Sequence, residues 1–267
     1  RPQVCDSWRT QMLKGRVVLV TGSTSGLGKG LIEKLLERGV RTTVTGRKKE
    51  KVDEVVRELA VRFGSGRILG HVGDLTEPPA IASLVTKTLE VFGGIDGVVA
   101  NLGSGRGRSG WAVGEEEWGR MMTINFDAAR RLVEATIPHL RTETGASIVL
   151  ISSIASLWVG GAPLTYTVSK AALNAYAKGL SIECAKMGVR VNVVSPGNVL
   201  TEGGTWDEKQ QEDAEGVSRM LEREVPMERF AEPAEIAEVV AFLLSEKSSF
   251  MTGAQIVVDG GQTRRIL

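Results

Sequence analysis

The stretch Val17-Val18-Leu19-Val20-Thr21-Gly22-Ser23-Thr24-Ser25-Gly26-Leu27-Gly28 decides the fold. Four apolar residues end in a glycine-rich turn, and Gly28 to Arg38 continues with the spacing of an amphipathic helix. Glycines let backbone approach a ligand, and a helix N-terminus offers unpaired N–H groups to an anion. The glycines fall as Gly-x-x-x-Gly-x-Gly rather than the Gly-x-Gly-x-x-Gly of the general dinucleotide fingerprint. A strand before and a helix after favour a bound dinucleotide over a ligand-free turn. Gly22, Ser23, Thr24, Ser25, Gly26, Leu27 and Gly28 are the candidate phosphate loop.

Working outward, short apolar runs alternate with helical patterns to the end of the chain. Val17–Thr21, Thr42–Thr45, Ile68–His71, Gly97–Ala100, Ser147–Ser152, Arg190–Ser195 and Ile256–Asp259 read as strands, dense in Val, Ile and Leu as strands covered on both faces are. Gly28–Arg38, Lys49–Phe63, Pro78–Phe92, Glu115–Leu140, Tyr166–Met187 and Pro233–Leu244 read as helices, with Thr76 as N-cap before Pro78. The alternation predicts an α/β fold: one doubly wound, Rossmann-type domain with a seven-stranded, mostly parallel sheet and helices on both faces. Residues 1–12 are polar and patternless and read as a poorly ordered extension; 13–267 form the domain, with a lid over about 200–226.

Composition excludes several partners. With 33 basic and 32 acidic residues the net charge is +1, so no nucleic acid is expected. No apolar run approaches the roughly 20 residues of a membrane span, and no signal peptide is visible. Two cysteines and two histidines, widely separated, give neither a disulfide framework nor a metal site, and the thiols fit the reducing cytoplasm.

After the second predicted strand comes Gly46-Arg47-Lys48-Lys49. An acidic residue there would bond a ribose 2′-OH and repel a 2′-phosphate; Arg47, with Lys48 beside it, suits the phosphate and favours NADP(H) over NAD(H). Asp74, followed by Leu75, is placed to hold adenine. Tyr166 and Lys170 stand four residues apart, one turn along a helix face. An ammonium there favours the phenolate and would draw the tyrosine pKa down, giving a group able to pass a proton to or from an oxygen. Ser153, thirteen residues upstream, is the second donor; Ser152 is one residue too far.

In this order the motifs make the chain resemble the short-chain dehydrogenase/reductase family in its single-domain form, from Leu13 to Gln262. Thr21 to Gly28 is similar to its Thr-Gly-x-x-x-Gly-x-Gly loop. Asn101 and Gly103 fall in its Asn-Asn-Ala-Gly stretch, with departures at Ala100 and Leu102. The resemblance implies that Asn125 sits in a helix kink and holds a relay water, and that Ser153, Tyr166 and Lys170 are catalytic, Tyr166 and Lys170 also touching cofactor. Pro196, Gly197, Val199 and Thr201 match its Pro-Gly-x-x-x-Thr segment at the nicotinamide carboxamide. It further implies hydride transfer between nicotinamide and a small-molecule carbonyl or secondary alcohol, and a homotetramer or homodimer. A non-catalytic NADP(H)-binding sensor or scaffold, and a sugar or sugar-nucleotide dehydrogenase, are the alternatives. For substrate, Trp158 is a candidate pocket wall, with Trp111 and Trp206 behind it; Arg106 and Arg108 either pair with a carboxylate or phosphate or belong to a solvent-facing loop.

Overall fold

A computed structural model describes residues 13–264; the extension expected at residues 1–12 lies outside them. The strands are β1 (Val17–Val20), β2 (Arg41–Gly46), β3 (Ile68–Val72), β4 (Gly97–Ala100), β5 (Ser147–Ile151), β6 (Arg190–Pro196) and β7 (Gln255–Val258). They form one seven-stranded sheet in the order β3-β2-β1-β4-β5-β6-β7, with every pairing parallel. Chain order reverses between β1 and β4, which opens a crevice beyond their carboxyl ends.

The helices are α1 (Gly26–Glu37), α2 (Lys49–Phe63), α3 (Pro78–Phe92), α4 (Glu115–Met122), α5 (Ala128–Thr136), α6 (Leu164–Ala185), α7 (Thr205–Glu212), α8 (Ala214–Glu224) and α9 (Pro233–Leu244). Successive strand side chains point to opposite faces. Val18, Val20, Val99 and Val149 accordingly pack on one side with Leu31 and Leu35 of α1, Val55 of α2 and Ile236 of α9. Leu19, Val98, Ile148 and Leu150 pack on the other with Leu84 of α3, Leu132 of α5 and Leu173 of α6. Both faces are apolar because both are covered, and the strand sequences show little alternation for that reason.

Two local expectations change. The single helix expected over Glu115–Leu140 is divided: a π turn at Thr123–Asp127 separates α4 from α5, and a 3₁₀ turn follows at Ile137–His139. Thr76 does not cap α3. Glu77 occupies that position, while the Thr76 amide and hydroxyl donate to Asp74 Oδ1 at 3.0 and 2.7 Å. The nearby carboxylate takes both donors.

Candidate active site

The crevice at the switch point is a cleft of about 900 Å³. Its floor begins with the loop after β1, which is stitched to its neighbours. The Gly22 amide donates to Thr45 Oγ1 (2.9 Å) and the Ser23 amide to the Thr45 carbonyl (3.2 Å). On the other side Asn101 Nδ2 donates to the carbonyls of Thr21 (3.0 Å) and Gly22 (3.1 Å). The loop passes so close to the first turn of α1 that a Cβ on Gly28 would stand 2.0 Å from the Gly22 carbonyl oxygen. Ser25 is the N-cap of α1, and no side chain caps the helix, so its first N–H groups are open for an anion.

Gly22, Thr24, Ser25, Leu27 and Gly28 line the cleft. Ser23, expected among the cofactor residues, does not. Its fully buried hydroxyl donates to the Thr43 carbonyl (3.2 Å) and accepts from the Thr45 amide (3.0 Å), which turns it into the sheet. Gly26 lies behind the lining, facing the Thr201 side chain.

Along β2 and β3, Arg47, Asp74 and Leu75 line the far end. Arg47 is exposed, and no carboxylate among the described residues forms an ion pair with it. Hydrogen bonds from Thr76 hold the Asp74 carboxyl below its ordinary pKa, with a smaller effect of Arg47. Lys48 falls outside the cleft: it is the exposed N-cap of α2, where the chain has already turned away.

At the other end Ser153, Tyr166 and Lys170 converge. Ser153 follows β5 and accepts from the Ala155 amide at 3.1 Å, which fixes the turn. Its hydroxyl faces the same cleft as the Tyr166 phenol and lowers the pKa of that group. Lys170 is buried, one turn further along α6, and its Nζ donates to the Ile151 carbonyl at 2.8 Å. Burial lowers its pKa to about 8. Ser152 instead points inward, toward the Lys170 carbonyl (3.3 Å).

The expected effect of lysine on tyrosine is not what the geometry gives. Burial raises the Tyr166 pKa, and it is Ser153 rather than Lys170 that offsets part of the rise. The ammonium is turned to the Ile151 carbonyl and lies 5.9 Å from the centre of the phenol ring. Both burial effects favour neutral groups.

Asn125 is fully buried in the π turn. Its Oδ1 accepts from the Ser104 amide (2.8 Å), and its Nδ2 donates to the carbonyls of Ser104 and Met121, both at 3.1 Å. The side-chain amide thus holds the loop after β4 over α6. Gly103 is wedged between them: a Cβ there would stand 2.9 Å from Asn125 Oδ1 and 3.1 Å from Lys170 Nζ. Beyond β6, Pro196, Gly197, Val199 and Thr201 line the wall between this centre and the loop after β1.

The substrate candidates separate. Trp158 and Arg106 line the cleft, as does Trp206 of α7, which packs on Phe230 with ring centres 5.4 Å apart. Arg108 does not: its amide donates to Glu117 Oε1 (2.8 Å) and its exposed residue lies outside the lining. Trp111 is 85% exposed, also outside. Arg120, with help from the Arg108 amide, drives the Glu117 pKa down to about 2, and this ionised carboxylate holds the Arg108 backbone. Sequence reasoning missed Ser104, Lys209 and Gln262 in the lining. For Lys209 a signal existed, since it follows Trp206 by three residues on one helix face.

The family model described as enoyl-(acyl carrier protein) reductase matches residues 22–263. Human dehydrogenase/reductase SDR family member 4 is 32% identical over 262 residues, which span 97% of this chain and 91% of that protein. The chain belongs to the short-chain dehydrogenase/reductase family. A second relative in the family is 3-oxoacyl-[acyl-carrier-protein] reductase FabG of Thermotoga maritima, 31% identical over 93% of this chain and 98% of that one. Among solved structures, L-sorbose reductase from Gluconobacter frateurii, complexed with NADPH and L-sorbose, superposes with a TM-score of 0.90. It is 30% identical and covers 96% of this chain and all of that one. Family membership makes the chain an oxidoreductase that works with a nicotinamide cofactor on small molecules. The residues present fit such a group: the uncapped α1 N-terminus suits a pyrophosphate, and the cleft runs unbroken from Arg47 and Asp74 to Tyr166. Among the described residues there is no helix long and apolar enough to cross a membrane and no cluster able to hold a metal ion.

Proposed function

We propose that this chain reduces a carbonyl, or oxidises the matching secondary alcohol, with Tyr166 as general acid and base. The observation that carries the reading is the convergence of Ser153 and Tyr166 above the buried Lys170, in one cleft with the uncapped helix. When bound, the nicotinamide supplies or accepts the hydride. In reduction, the Tyr166 phenol gives its proton to the substrate oxygen while the Ser153 hydroxyl hydrogen-bonds that oxygen and polarises it. Lys170, with a pKa near 8, remains mostly charged at neutral pH; it bonds the ribose, and its ammonium reaches the phenolate left behind only by turning from the Ile151 carbonyl. Asn125 positions the loop of Gly103 and Ser104 over this centre and supports the proton relay.

NADP(H) is the preferred cofactor, with the unpaired Arg47 on the 2′-phosphate, Asp74 at the adenine, and Leu75, Asn101, Gly103, Gly197, Val199 and Thr201 along the dinucleotide. The segment 200–226, with α7 and α8, is the lid over the substrate. A sugar carbonyl is a second reading, supported by the likeness to L-sorbose reductase and the indoles Trp158 and Trp206 at the reaction end. Assembly into a homotetramer or homodimer is part of the proposal; Leu164, Val168 and Ile182 leave an exposed apolar face on α6 for it. Light scattering of the purified protein tests the assembly.

For the chemistry, NADPH consumption is followed over ketones, ketoses and acyl thioesters. Tyr166→Phe should lower kcat by roughly 10²–10⁴-fold on any substrate found, with NADPH affinity within a few-fold of the parent. Full activity in that variant overturns the proton-transfer role.

A further inference from the structure

The cleft is lopsided in charge. Its lining carries four cations, Arg47, Arg106, Lys170 and Lys209, against one carboxylate, Asp74. Arg47 and Asp74 stand together at the adenine end, and Lys170 lies beneath Tyr166. Arg106 and Lys209 have no part in that scheme.

Both belong to the reaction end. Arg106 is in the loop after β4, next to Gly107, where a Cβ would stand 2.9 Å from Pro163 and 3.0 Å from Thr165 Oγ1, immediately before Tyr166. The loop's backbone is fixed at several points: Ser104 by Asn125, the Arg106 carbonyl by Arg120 (2.8 Å), and the Arg108 amide by Glu117. Opposite, Lys209 rises from α7 with its Nζ 4.6 Å from the centre of the Trp206 ring. No carboxylate among the described residues lies within ion-pair distance of that ammonium. The helix is anchored through Trp206 on Phe230 and through Asp207, whose carboxylate accepts from the Gly203 amide at 2.8 Å.

One contact joins the two walls. Arg106 Nη2 meets Glu208 Oε1 at 2.6 Å, both side chains about half exposed. Ion pairs that open to water hold little free energy and exchange readily with other anions. An arginine fork also fits a carboxylate or a phosphate equally well, and a cation over an indole is attracted to it without being neutralised.

We propose that Arg106 and Lys209 form an anion subsite that selects substrates bearing a carboxylate or phosphate remote from the reacting carbon, the anion replacing Glu208 on Arg106. Glu208 is thus a built-in competitor, holding lid to wall until the substrate's own anion takes its place. The proposal rests on the oxidoreductase reading for what happens at Tyr166, but the subsite itself is a binding claim and is tested as one.

Indole fluorescence reads binding directly, because Lys209 stacks on Trp206. The NADPH-loaded and cofactor-free proteins are titrated with propionate, methyl phosphate and, as the neutral match, 1-propanol, at low and high salt. Saturable changes are expected with one or both anions and not with propanol, weakening at high salt and lost in Trp206→Phe. Arg106→Gln and Lys209→Gln should each weaken the anion response about tenfold, and Glu208→Gln should strengthen it. A larger response to propionate marks a carboxylate, and a larger response to methyl phosphate a phosphate ester. Matched ketones ending in carboxylate, phosphate or hydroxymethyl then give the selectivity. The anionic-to-neutral ratio of kcat/KM should fall about tenfold in Arg106→Gln and Lys209→Gln, chiefly through KM.

The proposal is overturned if no anion gives a saturable response, if Glu208→Gln weakens binding, or if the two glutamine variants lose NADPH affinity as much as anion affinity. That last outcome would assign both cations to the cofactor's phosphates. Saturable anion binding with no turnover of any ketone would instead sink the oxidoreductase reading and leave the subsite standing.

Discussion

The two ends of the cleft are made differently. The end at Thr21–Gly28, Arg47 and Asp74 grows from the carboxyl ends of β1, β2 and β3, and its loop is tied by the buried side chains of Ser23 and Thr45 and by the partly buried Asn101. The end at Trp158, Arg106 and Lys209 is assembled from loops and a lid helix, and its cross-link is a half-exposed ion pair. Sheet-rooted groups are held by many neighbours, whereas loop-borne groups are free to differ without disturbing the core. The first end therefore reads as a fixed cradle and the second as the place where specificity is set.

A substitution in the cradle should cost the fold more than one in the lid. Ser23→Ala removes a hydroxyl that is fully buried and leaves the Thr45 amide without its acceptor. A loss of roughly 1–3 kcal/mol is expected in denaturant unfolding, the range for an orphaned buried donor. No measurable loss would mean the cradle is not held as described.

This contrast also explains what was legible in the sequence. Strands covered on both faces announce themselves as apolar runs, and Tyr166 and Lys170 are set one helical turn apart by local geometry alone. The phosphate loop is likewise a local affair of strand, turn and helix. Ser23 was misplaced because residue spacing does not say which way a side chain points within a turn. Between the two readings left open for Arg108 the solvent-facing one holds, because its amide is bonded to Glu117, nine residues away, a contact that no local pattern encodes. The partners Arg106 and Glu208 are brought together only when the lid folds over the wall, and no periodicity in the chain encodes that meeting.

Between the two ends lies Lys170, whose burial costs stability. The drop from 10.5 to about 8 corresponds to roughly 3 kcal/mol at about 1.4 kcal/mol per pH unit, and the Ile151 carbonyl left without its donor would return roughly 1 of that. Lys170→Met should thus stabilise the fold by about 2 kcal/mol at pH 7 while abolishing most activity. The sign follows from linkage. Between pH 8 and 10.5 the unfolded chain binds the extra proton, so wild-type stability rises with pH in that window. The advantage of the variant is therefore full below about pH 8 and fades toward pH 10.5. Unfolding midpoints measured across this range check both size and direction; a destabilised variant at pH 7 would show that the ammonium is better solvated than its burial implies.

Arg47 tests whether the cradle also sets cofactor choice. Arg47→Asp replaces an unpaired guanidinium at the β2 end of the cleft with a group that would repel a 2′-phosphate and accept from a ribose hydroxyl. NADPH affinity should fall at least about tenfold, the equivalent of roughly 1.4 kcal/mol, and NADH should become the tighter ligand. Equal affinities for the two cofactors before and after the change would remove Arg47 from the 2′-phosphate.

The smallest effect belongs to the lid. Glu208→Gln breaks the pair with Arg106, yet both side chains face water, and such pairs contribute about 0–1 kcal/mol. The thermal midpoint should move by no more than about 2–4 °C for a domain of this size, against the larger loss in Ser23→Ala. Because water and counterions already screen the pair, that small shift should shrink further as salt is added. If Glu208→Gln cost as much as Ser23→Ala, the lid would be part of the folded scaffold, and the division of the cleft into a fixed cradle and an exchangeable mouth would fail.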